Sequence, residues 1–353
     1  MMQDFIYQAA SSRVIFGPGT LAQVGAEIER LGCSRAFLLS TSFQATDLAA
    51  LADQLGPLAA GQFTDATMHT PVAVTARALA AYDACGADCI VALGGGSTIG
   101  LGKAIAYRND APQIVVATTY AGSEVTDILG QTEDGVKSTV RGPKIRPEVV
   151  IYDPTLTTGL PIAMSVASGL NAMAHAVEGL YAPDANPVTS LLAVEGIRAL
   201  KNALPAITRD PVDIAARGRA LYGSWLCGIV LGSVAMSLHH KLCHTLGGSC
   251  DLPHAETHAI LLPHSAAYNA AAAQDALAPA AALFGGDLAG GLHDLARSLG
   301  APLALKDLGL ARDDLARVAD MAVKNPYANP RPVTRDGILA LLTRAYDGTR
   351  PEI

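Results

Sequence analysis

Six of the nine histidines in this 353-residue sequence fall between His239 and His264, in HHKLCHTLGGSCDLPHAETHAILLPH. Imidazole binds divalent metals and titrates near neutral pH, so this crowding points to a metal centre or a proton-transfer site. His240 and His244 are four residues apart and share a helix face, and His254 follows fourteen residues after His240. Upstream, SGLNAMAHAVEGLY places Asn171 four residues before His175, again on one face. His175, His240, His244 and His254 are enough imidazoles for a divalent ion, with Asn171 where a fourth ligand would help. An amide brings no charge to the cation, so metal binding is expected to be weak or absent. The sequence does not choose between site and core for His239 and His258. His69 and His293 read as surface or supporting residues, and His264, just after Pro263, as a helix start.

Two glycine patterns compete for a phosphate. Gly17-Pro-Gly-Thr-Leu-Ala22 fits a dinucleotide fingerprint, but no acid follows about twenty residues later to hold a ribose. The stronger candidate is LGGGSTIGLGKAIA, where a buried strand runs into Gly94, Gly95 and Gly96 and then a helix. Three glycines let the backbone approach a pyrophosphate, and Ser97 and Thr98 add donors at the positive helix end. ATTYAGSE leaves the next strand with Thr118, Thr119 and Ser123, which are expected to line the same crevice. The strand RAFLLS ends in Ser40 and Thr41 with no acid to read a 2′-hydroxyl or repel a 2′-phosphate. Discrimination between NADH and NADPH is therefore expected to be weak.

These groups need a scaffold. Strand-like runs at 13–17, 35–40, 88–93, 113–118 and 148–152 alternate with helical patterns, which reads as a parallel sheet covered by helices. GQTEDGVKSTVR, between the last two runs, has turn residues at its centre and reads as a small hairpin. From Asp153 onward the β signal disappears, and Ala- and Leu-rich segments broken by Pro and Gly predict seven or eight helices. Residues 1–155 are thus expected to form an α/β dinucleotide-binding domain and 156–353 an all-α substrate domain, with the boundary within YDPTLTTGLP. The Ala-rich stretch 266–282 reads as buried helix.

A net charge of −7 without basic runs argues against nucleic acid as the main partner. No stretch is long and apolar enough to span a bilayer, and the N-terminus lacks the pattern of a signal peptide. Six dispersed cysteines suit a reducing cytoplasm better than a disulfide framework.

GGGST before a helix, TTYAGSE, the N-x3-H pair and H-x3-H-x9-H together resemble the iron-containing alcohol dehydrogenase superfamily, over nearly the whole chain. Within it, TTYAGSEVT, SGLNAMAHAVEGLYA, LHHKLCHTLGG and LPHAETHAILLPH resemble the maleylacetate reductases. The resemblance implies the dehydroquinate synthase-like fold, a homodimer, and reduction of maleylacetate by NADH or NADPH to 3-oxoadipate in aromatic catabolism, extending to dechlorination of 2-chloromaleylacetate. It maps the Asp and three His metal ligands of other members onto Asn171, His175, His240 and His254. A second departure is Gly100, where many relatives carry Asp.

Maleylacetate is a conjugated ketone, so hydride addition spreads charge onto an enolate that hydrogen-bond donors can stabilise in place of a Lewis acid. No metal is then required. His175, His240 and His254 are expected to surround the substrate, with His244 as leading proton donor. Lys241, Lys137 and Asn171 are candidates for its carboxylates, and Tyr120 for a further hydrogen bond. Cys243, inside the histidine segment, is a thiol-reagent target if accessible and inert if buried. The rival readings are a metal-dependent alcohol or hydroxyacid dehydrogenase, a dehydroquinate synthase-like lyase, and a nucleotide-binding protein without turnover.

Overall fold

In the computed structural model, period-two burial sorts the strand residues of the first half onto two faces of one sheet. Leu38, Val91, Leu93, Ile114, Val116, Val149 and Ile151 pack on one side, Phe37, Leu39, Ile90, Ala92 and Val115 on the other. Both faces are apolar because both are covered. The structure describes residues 4–9, 12–324 and 327–352, and for Lys137 the backbone alone.

The chain divides into two units. One takes Ala10–Leu160 with Val212–Leu221, the other Met1–Ala9, Pro161–Pro211 and Tyr222–Ile353. The return of Val212–Leu221 to the first unit was not anticipated from the sequence.

The first unit runs β1 (Arg13–Phe16), α1 (Val24–Arg30), β2 (Ala36–Leu39), α2 (Ala45–Leu55), β3 (Ala59–Phe63), α3 (Val72–Ala84), β4 (Cys89–Gly94), α4 (Gly96–Asn109), β5 (Gln113–Ala117), β6 (Ile128–Glu133), β7 (Val136–Arg141) and β8 (Val149–Tyr152). The main sheet has the order β1-β8-β5-β4-β2-β3, every neighbouring pair parallel. Helices α1 and α2 cover one face, α3 and α4 the other. β6 and β7 pair antiparallel around Asp134 and Gly135, whose φ of 48° and 77° give the left-handed turn that two-residue hairpins favour. The strand missed in the sequence is β3, AAGQF, whose small and polar residues suit a half-buried edge.

The described residues of the second half form nine helices: α5 (Ile162–Leu180), α6 (Pro187–Arg209), α7 (Ile214–Ser233), α8 (Leu238–Cys250), α9 (His254–Asn269), α10 (Gln274–Ala282), α11 (Leu288–Ser298), α12 (Asp314–Ala322) and α13 (Arg335–Asp347). The expected seven or eight is too low because 266–282 is split, with α9 ending at Asn269 and α10 starting at Gln274. Pro263 lies inside α9, so His264 starts no helix and is buried in its middle. His293 is likewise buried, on α11, rather than at the surface. Among the described residues no single helix is long and apolar enough to cross a membrane.

Candidate active site

The chain steps outward from β2 to β3, then returns to place β4 and β5 on the other side of β2. This makes the carboxyl ends of β2 and β4 a topological switch point, where open α/β sheets bind ligands. Ser40 and Thr41 leave β2 there, and Gly94, Gly95 and Gly96 leave β4. The Gly17 loop instead follows β1 at the sheet edge, as a local turn in which Thr20 Oγ1 donates to Gly17 O at 2.8 Å.

The three glycines do different work. A Cβ on Gly94 would stand 2.3 Å from Thr98 Oγ1, and one on Gly95 2.6 Å from Thr119 Cγ2, whereas one on Gly96 meets nothing among the described residues within 4 Å. Gly94 and Gly95 therefore serve close packing of the loop, and exposed Gly96 at the start of α4 is where a phosphate can approach. Gly100 is also a packing glycine: its Cβ would lie 2.4 Å from Thr70 Oγ1, and Thr70 is held at a φ of 46°.

The candidate hydroxyls divide as well. Thr41, Ser97, Thr119 and Ser123 are half-buried and can reach a ligand. Thr98, Thr118 and Ser40 are buried. Thr118 Oγ1 accepts from Gln44 Nε2 at 3.0 Å, and Ser40 Oγ donates to Thr41 O at 3.0 Å. Tyr120 is fully buried and its hydroxyl accepts from Arg217 Nη1 at 2.9 Å, so it holds the loop instead of facing a ligand. The side chain of Lys137 lies outside the described residues.

In the helical unit, α5 and α8 bring the histidines together. Asn171 and His175 are buried on α5, and His175 Nδ1 lies 2.9 Å from His240 Nε2, the two rings stacked at 30°. Behind His240 stands Glu178, three residues after His175 and fully buried. Its Oε1 accepts His239 N–H at 2.7 Å and its Oε2 accepts His240 N–H at 3.3 Å, while His240 Nδ1 makes a short hydrogen bond to Oε2. Burial would raise this carboxyl, but His240, His239 and the N–H of Ser237 outweigh it and hold its pKa below the ordinary value. An ionised carboxylate only accepts, so His240 Nδ1 donates to it, and in the neutral ring Nε2 is left to accept from His175. The sequence reading missed Glu178. Its signal was a lone acid in an apolar helix, on the face that carries His175.

His258 is the ring in the middle of the cluster, with centroids 4.3 Å from His254, 4.9 Å from His239, 5.1 Å from His240 and 6.1 Å from His175. His239 bridges Ser265 Oγ at 2.9 Å and His258 Nδ1 at 3.0 Å. Burial, then His240, pulls His239 down to about 3, and burial, then His254, pulls His258 well below the ordinary value. Both stay neutral at pH 7. His244 is exposed and His254 half-buried, with centroids 6.4 Å apart. Lys241 is half-buried with Nζ 6.0 Å from the Tyr327 ring centroid. Cys243 is buried against His239.

The donor set does not fit a tightly held iron. Asn171 contributes no charge, and among the described residues its buried Oδ1 has no hydrogen-bond partner. The facing nitrogens of His175 and His240 stand 2.9 Å apart, within hydrogen-bond distance of each other. Glu178 does resemble the carboxylates that orient metal-bound imidazoles, but here the oriented ring points at another histidine.

The family model described as iron-containing alcohol dehydrogenase matches residues 11–154, and its C-terminal counterpart matches 165–346. The chain belongs to the iron-containing alcohol dehydrogenase family. A maleylacetate reductase of Rhizobium sp. strain MTP-10005 is 63% identical over 99% of this chain and 100% of its own. One from Sphingobium indicum is 55% identical, covering 99% of each chain. The crystal structure of maleylacetate reductase from Agrobacterium tumefaciens superimposes with a TM-score of 0.97 at 62% identity, over 99% of this chain and 100% of that one. These relatives place the chain in the maleylacetate reductase branch of the family.

Proposed function

We propose that the protein reduces the conjugated carbon–carbon double bond of maleylacetate with NADH or NADPH, giving 3-oxoadipate, without a bound metal. The observation that carries this reading is the buried Glu178–His240–His175 hydrogen-bond chain beside Asn171, in the place where relatives need an acid and a metal. Hydride adds to the alkene carbon remote from the ketone, and the displaced electron pair moves onto the ketone oxygen as an enolate. A proton then adds to the carbon next to the ketone, leaving NAD(P)⁺ and 3-oxoadipate.

Each part of the machinery has a proposed role. Gly96, Ser97, Thr119, Ser123 and Thr41 receive the cofactor. His254 presents an N–H donor to the developing enolate, and His175, held by His240 and Glu178 with its Nδ1–H given to His240, does so from Nε2 in its protonated form. His244, exposed to solvent, supplies the proton at near-neutral pH. Asn171 offers a neutral amide where an acid would repel a dianion, and Lys241 attracts a carboxylate. With 2-chloromaleylacetate the hydride adds to the chlorine-bearing carbon, and loss of chloride from the resulting enolate restores the alkene.

The testing experiment is oxidation of NADH and NADPH by the purified protein with maleylacetate, with 3-oxoadipate identified as product. Failure of both cofactors to support turnover, in protein that is folded, would falsify this reading.

A further inference from the structure

Two cations are buried in the α/β unit, and both end on the segment that leaves β5. Lys103 on α4 is 2% exposed, and Arg217, in the first part of α7, is fully buried. Lys103 Nζ lies 2.6 Å from Ser123 O, 2.8 Å from Thr126 O, 2.9 Å from Thr126 Oγ1 and 3.0 Å from Ile128 O. Arg217 donates from Nη1 to the Tyr120 hydroxyl at 2.9 Å and from Nη2 to Leu160 O at 3.0 Å.

Burying a charge is costly, and well-packed apolar side chains of similar volume often stabilise a fold as much or more. Two such cations under one short segment therefore suggest a demand on the shape of that segment. Four oxygens around one nitrogen suit an ammonium with three N–H donors. A neutral amine has two and would turn its lone pair toward an oxygen.

We propose that Lys103 and Arg217 are positioning residues for the nicotinamide cofactor, internal cations that pin residues 118–128 so that Thr119 and Ser123 present their hydroxyls at the carboxyl end of the sheet. This rests on the reading that the cofactor binds at that end. Lys103 fixes the stretch from Ser123 to Ile128, and Arg217 fixes Tyr120, so the loop is held on both sides of Ser123. Gly95 packs against Thr119 from β4, which transmits the loop's position to the glycine turn.

The pin at Lys103 is sensitive to pH. Burial draws its pKa down to about 7, while Glu124 and Asp127 oppose that fall and Arg146 adds to it. Glu124 is itself buried and accepts the Tyr152 hydroxyl at 2.7 Å. Asp127 pairs with Arg141 and Arg146. Above neutral pH the ammonium loses its third donor and the loop slackens.

The test is direct NADH binding, followed by NADH fluorescence, in the wild type and in Lys103→Met, Thr126→Val and Tyr120→Phe, between about pH 6 and 9. Wild-type affinity is expected to weaken as pH rises through the titration of Lys103. Lys103→Met should bind about tenfold more weakly with a flat profile, and the two milder variants about threefold more weakly, with KM for maleylacetate unchanged. Wild-type affinity for NADH in folded Thr126→Val and Tyr120→Phe overturns the inference, whether or not Lys103→Met folds. A Tyr120→Phe variant that changes only the KM for maleylacetate also overturns it. If the wild type binds neither NADH nor NADPH, the functional reading falls and takes this inference with it.

Discussion

His175 Nδ1 and His240 Nε2 face each other at 2.9 Å, so two imidazoles that would be metal ligands in an acid-containing site are hydrogen-bonded to one another. Glu178 fixes the direction of that bond by taking the far proton of His240. The arrangement places an oriented His175 imidazole where a metal-dependent relative presents a cation.

Asn171→Asp restores the missing charge next to this pair. The variant is expected to bind a divalent metal at least about tenfold more tightly and to lose maleylacetate turnover by repelling the dianion. Metal content after dialysis and steady-state rates check both. A variant with unchanged metal content and full activity would show that the amide at 171 carries no special role.

Glu178→Gln keeps the shape but removes the charge that sets the His240 tautomer. We expect kcat to fall about ten- to a hundredfold with a small change in KM, because the donor array is disordered while the pocket stays intact. Stability should drop by about 1–3 kcal/mol, since Glu178 also accepts N–H groups at the start of α8. Wild-type kcat in this variant would remove Glu178 from the account.

The glycine turn makes a graded prediction. Gly95→Ala should destabilise the protein by about 1–3 kcal/mol in denaturant unfolding, because the added methyl meets Thr119. Gly96→Ala should leave stability nearly unchanged and instead raise KM for NADH, since its methyl enters open space needed by the phosphate. The reverse ranking would mean that the cofactor does not pass over Gly96.

Buried histidines set the acid limit. His264, with burial as the main cause and Arg344 and His293 adding to it, has its pKa pulled to about 3, as does His239. Both are depressed below the unfolded value of 6.5, so their contribution is present above pH 6.5 and is lost as pH falls toward 3. Between about pH 7 and 5 each such histidine should cost about 2 kcal/mol of unfolding free energy, and His264→Leu should flatten the slope by one proton. Equal denaturation midpoints at both pH values would contradict this.

Much of the architecture could be read directly because burial on both faces leaves continuous apolar strands, and five of the six strands of the main sheet announced themselves this way. β3 did not, being short and rich in small residues. In the candidate site, spacing singled out the histidines and Asn171 because helix periodicity puts i and i+4 on one face. Glu178 and Lys103 were missed because each is a single charge in an apolar run, and Arg217 because it sits between Asp213 and Arg219 like a solvated helix residue; sequence alone does not tell a buried charge from a solvated one. Pro263 misled in the opposite direction, since tertiary packing carries α9 through it.

The most direct test of the metal-free account is maleylacetate-dependent NADH oxidation after exhaustive chelation, with the metal content of the same sample measured. The account predicts that turnover persists at its full rate in protein containing far less than one metal per chain. Loss of activity on chelation, restored by adding iron or zinc, would contradict it.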